Sequence, residues 1–163
     1  MRQVSILEAA LAGESARAGS RARPAPSREV QQLYFRTFGQ GVRVLALLGV
    51  DPGVDAHGLA LELSEVAAQL GAGVEVLDAR GVQLSGAAPQ LAAVREARAH
   101  GRCAVVVLDP VLQNQTGLPL AHACEAVLLA VGLGDTRFAE LQGTLELVGR
   151  ERVLGSVLVK RDA

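Results

Sequence analysis

The chain contains a single lysine and very few aromatic residues. Its 163 residues include three phenylalanines, one tyrosine and no tryptophan, so a core must be built from Val, Leu and Ala. That composition suits helices packed on a buried parallel sheet. Lys160 is the only lysine, which leaves almost none for a phosphate site. The net charge of −1 gives no basis for a global attraction to nucleic acid, and no nucleic-acid partner is predicted.

Cysteine and long apolar runs are also scarce. The two cysteines, Cys103 and Cys124, lie in apolar surroundings without metal-ligand spacing, which predicts buried free thiols. No apolar run reaches the roughly 20 residues of a membrane span. The first residues lack the hydrophobic region of a signal peptide. We therefore expect a cytoplasmic protein.

Composition divides the chain into three parts. Residues 1–12 are predicted to form a short amphipathic helix, because Ser5 can cap the sequence ILEAALA. Residues 13–27 combine small residues, arginine and proline, which predicts a flexible linker. Residues 28–163 form the predicted domain, whose first helix is capped by Ser27 and ended by Gly39.

Strand and helix patterns alternate from residue 42 onward. The predicted strands, which are short and rich in Val and Leu, cover residues 42–50, 74–78, 103–109, 126–133 and 153–159. The predicted helices cover residues 59–70, 89–100, 118–124 and 136–148. Strands that are apolar on both faces indicate a sheet between two helical layers. The expected fold class is α/β, with a doubly wound, mostly parallel sheet of five or more strands and helices on both faces.

Acidic residues follow most of the predicted strands. In an open parallel sheet, ligands bind beyond the carboxyl ends of the strands. The acids at these ends are, in chain order, Asp51, Asp55, Asp78, Asp109 and Asp135. Carboxylates placed there could hold magnesium, a hard cation that prefers oxygen ligands. Aspartate also favours the turns and helix caps that end strands, so both interpretations stay open at this point.

The segment at residues 42–58, VRVLALLGVDPGVDAHG, begins like a phosphate-binding strand, loop and helix. Such a loop needs glycines whose backbone N–H groups face the anion, a lysine for the β- and γ-phosphates, and Ser or Thr for magnesium. Here Pro52 and Gly53 are followed by Asp55, Ala56 and His57. Asp55 would repel a phosphate and Ala56 carries no charge. We therefore expect an ordered turn without bound nucleotide.

This segment resembles the P-loop region of the bacterial tyrosine kinases (BY-kinases) of exopolysaccharide synthesis, which belong to the MinD/ParA class of P-loop ATPases. The family's loop reads approximately P-G-E-G-K-[ST]. Pro52 and Gly53 match its opening, whereas Asp55, Ala56 and His57 stand at the Gly, Lys and Ser/Thr positions. The resemblance covers about residues 28–160. It implies a P-loop NTPase-like fold with a degenerate Walker A motif.

Two acids of that family are retained. The sequence VEVLDARG places Asp78 on the family's second-strand acid, and VVVLDPVLQNQTGLPLAHACEAVLLAV places Asp109 on the Walker B acid. The family's tyrosine-rich tail has no counterpart, since the chain ends VKRDA. The expectation is that Asp78 and Asp109 are relic acids that hold no metal. No catalytic residue, nucleotide or other cofactor is expected.

The first helix of the predicted domain also resembles the BY-kinases. The sequence SREVQQLYFRTF is similar to their "EAYRTLRTN" helix, which contributes to ring-like oligomers in that family. The resemblance implies that Arg28, Glu29, Tyr34 and Arg36 are candidate contacts to a second copy or to another partner. A homo-oligomer is therefore one expected state.

The resemblance implies a pseudokinase, a kinase-like pseudo-ATPase that acts as a binding or regulatory partner in exopolysaccharide biosynthesis or export. The implied partner is the cytoplasmic segment of an inner-membrane copolymerase of the Wzz type, or an active kinase homologue, so the protein would be peripheral to that membrane. One alternative is an atypical ATPase or tyrosine kinase with magnesium on Asp78 and Asp109, and an arginine or Lys160 in place of the missing lysine. Another is a receiver-like phosphoacceptor domain, based on Asp51, Asp109, Gly117 and Lys160. The remaining hypothesis is a spatial regulator of the ParA/MinD type without a connection to polysaccharide synthesis.

Overall fold

A computed structural model describes residues 7–10, 25–134 and 136–160 of the chain. Within these residues six strands form one sheet: β1 (Leu7–Ala10), β2 (Val44–Gly49), β3 (Val74–Asp78), β4 (Cys103–Leu108), β5 (Ala126–Gly132) and β6 (Val153–Lys160). The α-helices are α1 (Arg28–Arg36), α2 (Ala56–Gln69), α3 (Ala87–Ala99), α4 (Gly117–Ala123) and α5 (Phe138–Val148). Short 3₁₀ helices cover Phe38–Gln40, Leu84–Gly86 and Arg150–Arg152.

The strand order across the sheet is β1-β6-β5-β2-β4-β3, and every neighbouring pair is parallel. The expected α/β fold with a parallel sheet is thus confirmed. The receiver-like alternative is wrong, because in a receiver the second strand lies beside the first, in the order 2-1-3-4-5. Here β4 lies between β2 and β3, so the first two strands of the domain are not neighbours.

Helices cover both faces of the sheet. Side chains of α1 and α2 pack with Leu45 and Leu47 of β2 on one face. Side chains of α3, α4 and α5 pack with Val44, Ala46 and Leu48 on the other. Successive residues of a strand point to opposite faces, so a strand covered on both sides must be apolar throughout. This explains why β2, β4 and β5 read as continuous runs of Val, Leu and Ala.

Helix α1 begins where the sequence predicts. The Ser27 hydroxyl accepts the N–H of Val30 at 3.3 Å, which satisfies one of the free donors of the first turn. Val30 and Leu33 are buried against α2 and the sheet. The helix ends at Arg36, and the next turn continues as a 3₁₀ helix in which the Phe38 ring lies 5.7 Å from that of Tyr34.

The predicted N-terminal helix is wrong at Leu7–Ala10, which form an extended strand paired with residues 157–160 of β6. An isolated helix of seven residues is marginal in water, whereas a strand here pairs with backbone groups at the edge of the sheet. Residues 1–6, 11–12 and most of the predicted linker lie outside the described residues. At the end of that linker, Pro26 is buried and its carbonyl accepts a hydrogen bond from the Gln31 side chain at 3.0 Å.

Other helix boundaries lie within three residues of the predicted ones. Helix α2 begins at Ala56, three residues earlier than its apolar pattern indicates. Asp55 supplies the cap that permits the earlier start, because its side chain accepts an N–H of the first turn. No helix in the described parts of the chain is both long and apolar enough to cross a membrane.

Candidate functional site

The loops that follow β2, β3, β4 and β5 meet at the carboxyl edge of the sheet. The first of them, residues 50–55, is here called the β2–α2 loop, and it follows β2, one of the two central strands of the sheet. Its first residue still belongs to the sheet, since the Val50 N–H donates to the Ala130 carbonyl at 3.0 Å. The loop therefore starts from a fixed position between β4 and β5.

Asp51 folds the β2–α2 loop into a tight turn. Its Oδ1 atom accepts the N–H of Gly53 at 3.0 Å, and its carbonyl accepts the N–H of Val54 at 3.3 Å. The N–H of Ala56 donates to the Val54 carbonyl at 3.0 Å. Three backbone donors that a phosphate loop would aim at its anion thus have acceptors within the loop. The ordered turn expected for residues 51–57 is present.

Asp55 occupies the N-terminus of α2. Its Oδ1 atom accepts the N–H of Gly58 at 2.8 Å, so a carboxylate of the chain itself sits where a helix N-terminus would bind a phosphate. Burial, and secondarily repulsion from Asp55, raise the pKa of Glu62 two turns further along the helix. The side chain of Ala56, where the sequence resemblance to the BY-kinases would expect a lysine, is buried in the apolar core with 4% of its surface exposed.

Asp78, at the end of β3, forms an ion pair that the sequence analysis did not predict. The Arg80 guanidinium donates from Nε to Oδ1 and from Nη2 to Oδ2 of Asp78, each at 2.8 Å. This bidentate contact lowers the pKa of Asp78 from 3.8 to about 2, while the pKa of Arg80 is raised by the same pair. His57 also lies near this carboxylate, with Nε2 at 3.8 Å from Asp78 Oδ2. An arginine two residues after a strand-end acid is the sequence signal that could have identified the pair.

Asp109, which follows β4, binds the loop after β3. Its Oδ2 atom accepts the N–H of Gly81 at 2.6 Å and a side-chain N–H of Asn114 at 3.2 Å. Asn114 also donates to the Val82 carbonyl at 3.1 Å. The retained acid thus joins two loops of the carboxyl edge, and Asn114 is a second residue that sequence reasoning missed.

The structure brings some of the predicted site residues together and separates others. The hydrogen-bonded Asp78 raises the pKa of the Arg80 guanidinium most, and the charges of Asp55 and Asp109 raise it further. Lys160 ends β6, which β5 and β2 separate from β4; three strand spacings amount to about 14 Å. Arg80, rather than Lys160, is therefore the cation beside the two retained acids.

Magnesium would need oxygen ligands that are free to face it. Asp78 is engaged by Arg80, and Asp109 by Gly81 and Asn114. Among the described residues, no three His, Cys, Asp or Glu side chains are grouped so that they could hold a metal ion. Both carboxylate oxygens of Asp78 and the Oδ2 atom of Asp109 thus already accept hydrogen bonds, and magnesium bound to these atoms would compete with those donors.

The predicted contact residues of α1 form a separate surface. Arg28, Glu29 and Arg36 are exposed, while Tyr34 is half-buried, with its ring 5.7 Å from the ring of Phe35. Phe35 itself is 51% exposed. A contact through this surface to a second copy or a partner stays a prediction.

An open cavity of about 610 Å³ lies at the opposite edge of the sheet, near the amino ends of β3 and β4. Arg43, Glu75, Arg102 and Cys103 contribute to its walls. It is remote from the β2–α2 loop, so the retained acids do not line it. Cys124 is a buried free thiol as predicted, whereas Cys103 is a free thiol that is only partly buried.

No family model matches the chain, and no curated protein sequence matches it either. Solved structures do match. The chimerical protein CapA2B2 is 11% identical, with a TM-score of 0.71 over 84% of this chain and 85% of that one. The VpsO kinase domain is 14% identical, with a TM-score of 0.68 over 83% and 92% of the two chains.

The kinase domain of the Escherichia coli tyrosine kinase ETK is similar to the chain over 83% of its length and 74% of that domain, with 15% identity and a TM-score of 0.66. At identities this low, the TM-scores show a shared fold. The chain therefore has the α/β fold of these bacterial kinase domains.

Proposed function

We propose that this protein is a pseudokinase, a catalytically inactive protein with a kinase-like fold, which acts as a binding or regulatory partner in exopolysaccharide biosynthesis or export. The shared fold supports the kinase-like part of the proposal. The observation that supports catalytic inactivity is the position of the Asp55 carboxylate at the N-terminus of α2, where it accepts a hydrogen bond from the Gly58 N–H. A nucleotide phosphate at that position would meet a negative charge instead of backbone donors.

The repulsion between Asp55 and a bound phosphate can be estimated from Coulomb's law. Two like charges about 4 Å apart repel by about 1 kcal/mol in water and about 4 kcal/mol near a protein surface. Asp55 is exposed, so the lower part of that range applies. The attraction that a phosphate-loop lysine would supply is lost as well, because Ala56 stands at its position. Together these changes amount to about 2–5 kcal/mol, which lowers a nucleotide's affinity by roughly 30-fold to 3,000-fold.

The remaining charges of the site are already paired within the chain. Arg80 is held by Asp78 in a bidentate ion pair, and Asp109 accepts the N–H of Gly81. Phosphoryl transfer depends on cations and donors aimed at the transferred group. Side chains that are engaged with one another do not supply that arrangement without rearrangement.

A protein that has a kinase-like fold but no nucleotide site can still act through its surfaces. The proposed partner is the cytoplasmic segment of a Wzz-type copolymerase, or an active kinase homologue in the same cell, which would bring this protein to the inner membrane. The exposed face of α1, with Arg28, Glu29 and Arg36, is the candidate contact surface. No cofactor is needed for such a role.

Binding to purified partner segments tests this function. The wild-type chain should form a complex with the copolymerase segment or the kinase homologue, as measured by biolayer interferometry. Arg36→Glu should weaken that complex at least tenfold. Arg95→Glu, at an exposed position of α3 on the other face of the sheet, serves as the matched control. Failure to bind either partner would refute the proposed role.

A second candidate function has one observation in its favour. Arg80 lies beside Asp78 and near Asp109, so a cation adjoins two acids that follow neighbouring strands. An atypical ATPase could use the arginine in place of the missing lysine. This candidate predicts ATP hydrolysis that Asp109→Asn abolishes; Asn keeps the size of the side chain and an acceptor for the Gly81 N–H. The pseudokinase predicts no hydrolysis in either protein.

A further inference from the structure

A partly buried chain of hydrogen bonds connects the β2–α2 loop with the start of α5. The Thr136 hydroxyl donates to Asp51 Oδ2 and accepts the backbone N–H of Gly132 at 2.9 Å. The other carboxylate oxygen of Asp51 accepts the N–H of Gly53. Asp51 is 8% exposed and is one of few buried polar residues among the described ones. Its contact with Thr136 joins residues that are 85 positions apart in sequence.

The backbone around this contact is closely packed. A Cβ atom on Gly132 would lie 3.2 Å from Asp51 Oδ2 and 3.4 Å from Thr136 Oγ1. Glycine at the end of β5 therefore lets both side chains approach the strand. The carboxylate is thus fixed by donors from the β2–α2 loop on one side and from the segment between β5 and α5 on the other.

We propose that Asp51 and Thr136 form a latch that holds the β2–α2 loop closed from within the chain, and that this edge opens only when the latch is released. In a phosphate loop the bound anion gathers the backbone N–H groups and orders the loop. Here Asp51 supplies an anion that belongs to the protein. The latch goes beyond the proposed function, because it concerns what fixes the loop rather than which partner the protein binds.

The latch also links two segments that follow neighbouring strands. Release of Thr136 frees the Gly132 N–H at the end of β5 and removes one of the donors that hold Asp51. The turn at Gly53 then loses its fixed acceptor. Local opening of the β2–α2 loop and of the start of α5 is therefore a single cooperative event.

Residue-resolved amide hydrogen exchange on the full chain tests the latch. Thr136→Val keeps the shape of the side chain but removes the hydroxyl. We expect the Gly53 and Gly132 amides to exchange about tenfold faster in this variant, since loss of one hydrogen bond to a charged group changes an opening equilibrium by roughly that factor. Thr136→Ser keeps the hydroxyl and should exchange as the wild type does. Amides of β4 should be unchanged.

Unchanged exchange at Gly53 in Thr136→Val would overturn the latch, as would equal acceleration of all amides, including those of β4. A Thr136→Ser variant that behaves like Thr136→Val would also overturn it. Asp51→Ala is a second variant. It removes the acceptors of both the Gly53 N–H and the Thr136 hydroxyl and should accelerate exchange of the Gly53 amide, and unchanged exchange there would also overturn the latch. The measurement needs neither nucleotide nor partner, so its outcome is independent of the tests of the proposed function.

Discussion

Asp55 caps helix α2, and its replacement by alanine should lower the free energy of unfolding by about 1 kcal/mol. The Asp55 carboxylate accepts the Gly58 N–H at 2.8 Å, and the loss of such a cap typically costs about 1 kcal/mol. Loss of a negative charge at the N-terminus of the helix adds roughly 0.5 kcal/mol. Repulsion between Asp55 and Glu62, which together with burial raises the pKa of Glu62, disappears and offsets part of this loss.

Urea denaturation followed by circular dichroism measures this change, and thermal melting should show a midpoint lower by roughly 2–4 °C. Asp55→Asn is the matched control, because asparagine caps helices as well as aspartate does while it removes the charge. It should lose no more than about 0.5 kcal/mol. Equal stability of Asp55→Ala and the wild type would refute the capping role, and an Asn variant as unstable as the Ala variant would show that charge rather than capping dominates.

Three further outcomes follow from other contacts. Arg80→Ala should raise the pKa of Asp78 from about 2 toward 3.8 in an NMR titration, and an unchanged pKa would contradict the ion pair. In the wild type, ionised Asp78 stabilises the fold above about pH 4, and this contribution is lost as the pH falls toward 2; the variant should lack it. Leu47→Ala, at a fully buried position, should cost about 2–5 kcal/mol in urea denaturation, against less than about 0.5 kcal/mol for Leu133→Ala at a half-exposed one; similar losses would contradict the described core. Burial raises the pKa of the Cys124 thiol to about 12, so it should react with a disulfide reagent at pH 8 only on unfolding, and rapid labelling of the native protein would contradict this.

The main strands and helices could be predicted from sequence because their signals are local. Both faces of β2 and β4 are covered, so these strands read as unbroken apolar runs between turn residues. The strand at Leu7–Ala10 could not be predicted in the same way. Its conformation depends on pairing with residues 157–160, about 150 positions away, while its own pattern fits a helix equally well.

The turn in the β2–α2 loop was predictable for a similar reason, since Asp51, Pro52 and Gly53 are consecutive in sequence. The residues that hydrogen-bond to the acids of the site could not be predicted in this way. Asp51 lies in the loop after β2 and Thr136 in the loop after β5, and the sequence around neither residue indicates that they are in contact. Asn114 likewise reaches Asp109 only because the loop after β4 folds back toward β3. Arg80 is the exception, since it lies two residues from Asp78.

Nucleotide affinity tests the central claim most directly. Isothermal titration calorimetry of the wild-type chain with ATP and magnesium, repeated with ADP, should give no saturable heat up to millimolar nucleotide, because the Asp55 carboxylate occupies the N-terminus of α2 and Ala56 supplies no cation. A saturable isotherm with a micromolar Kd would contradict the account.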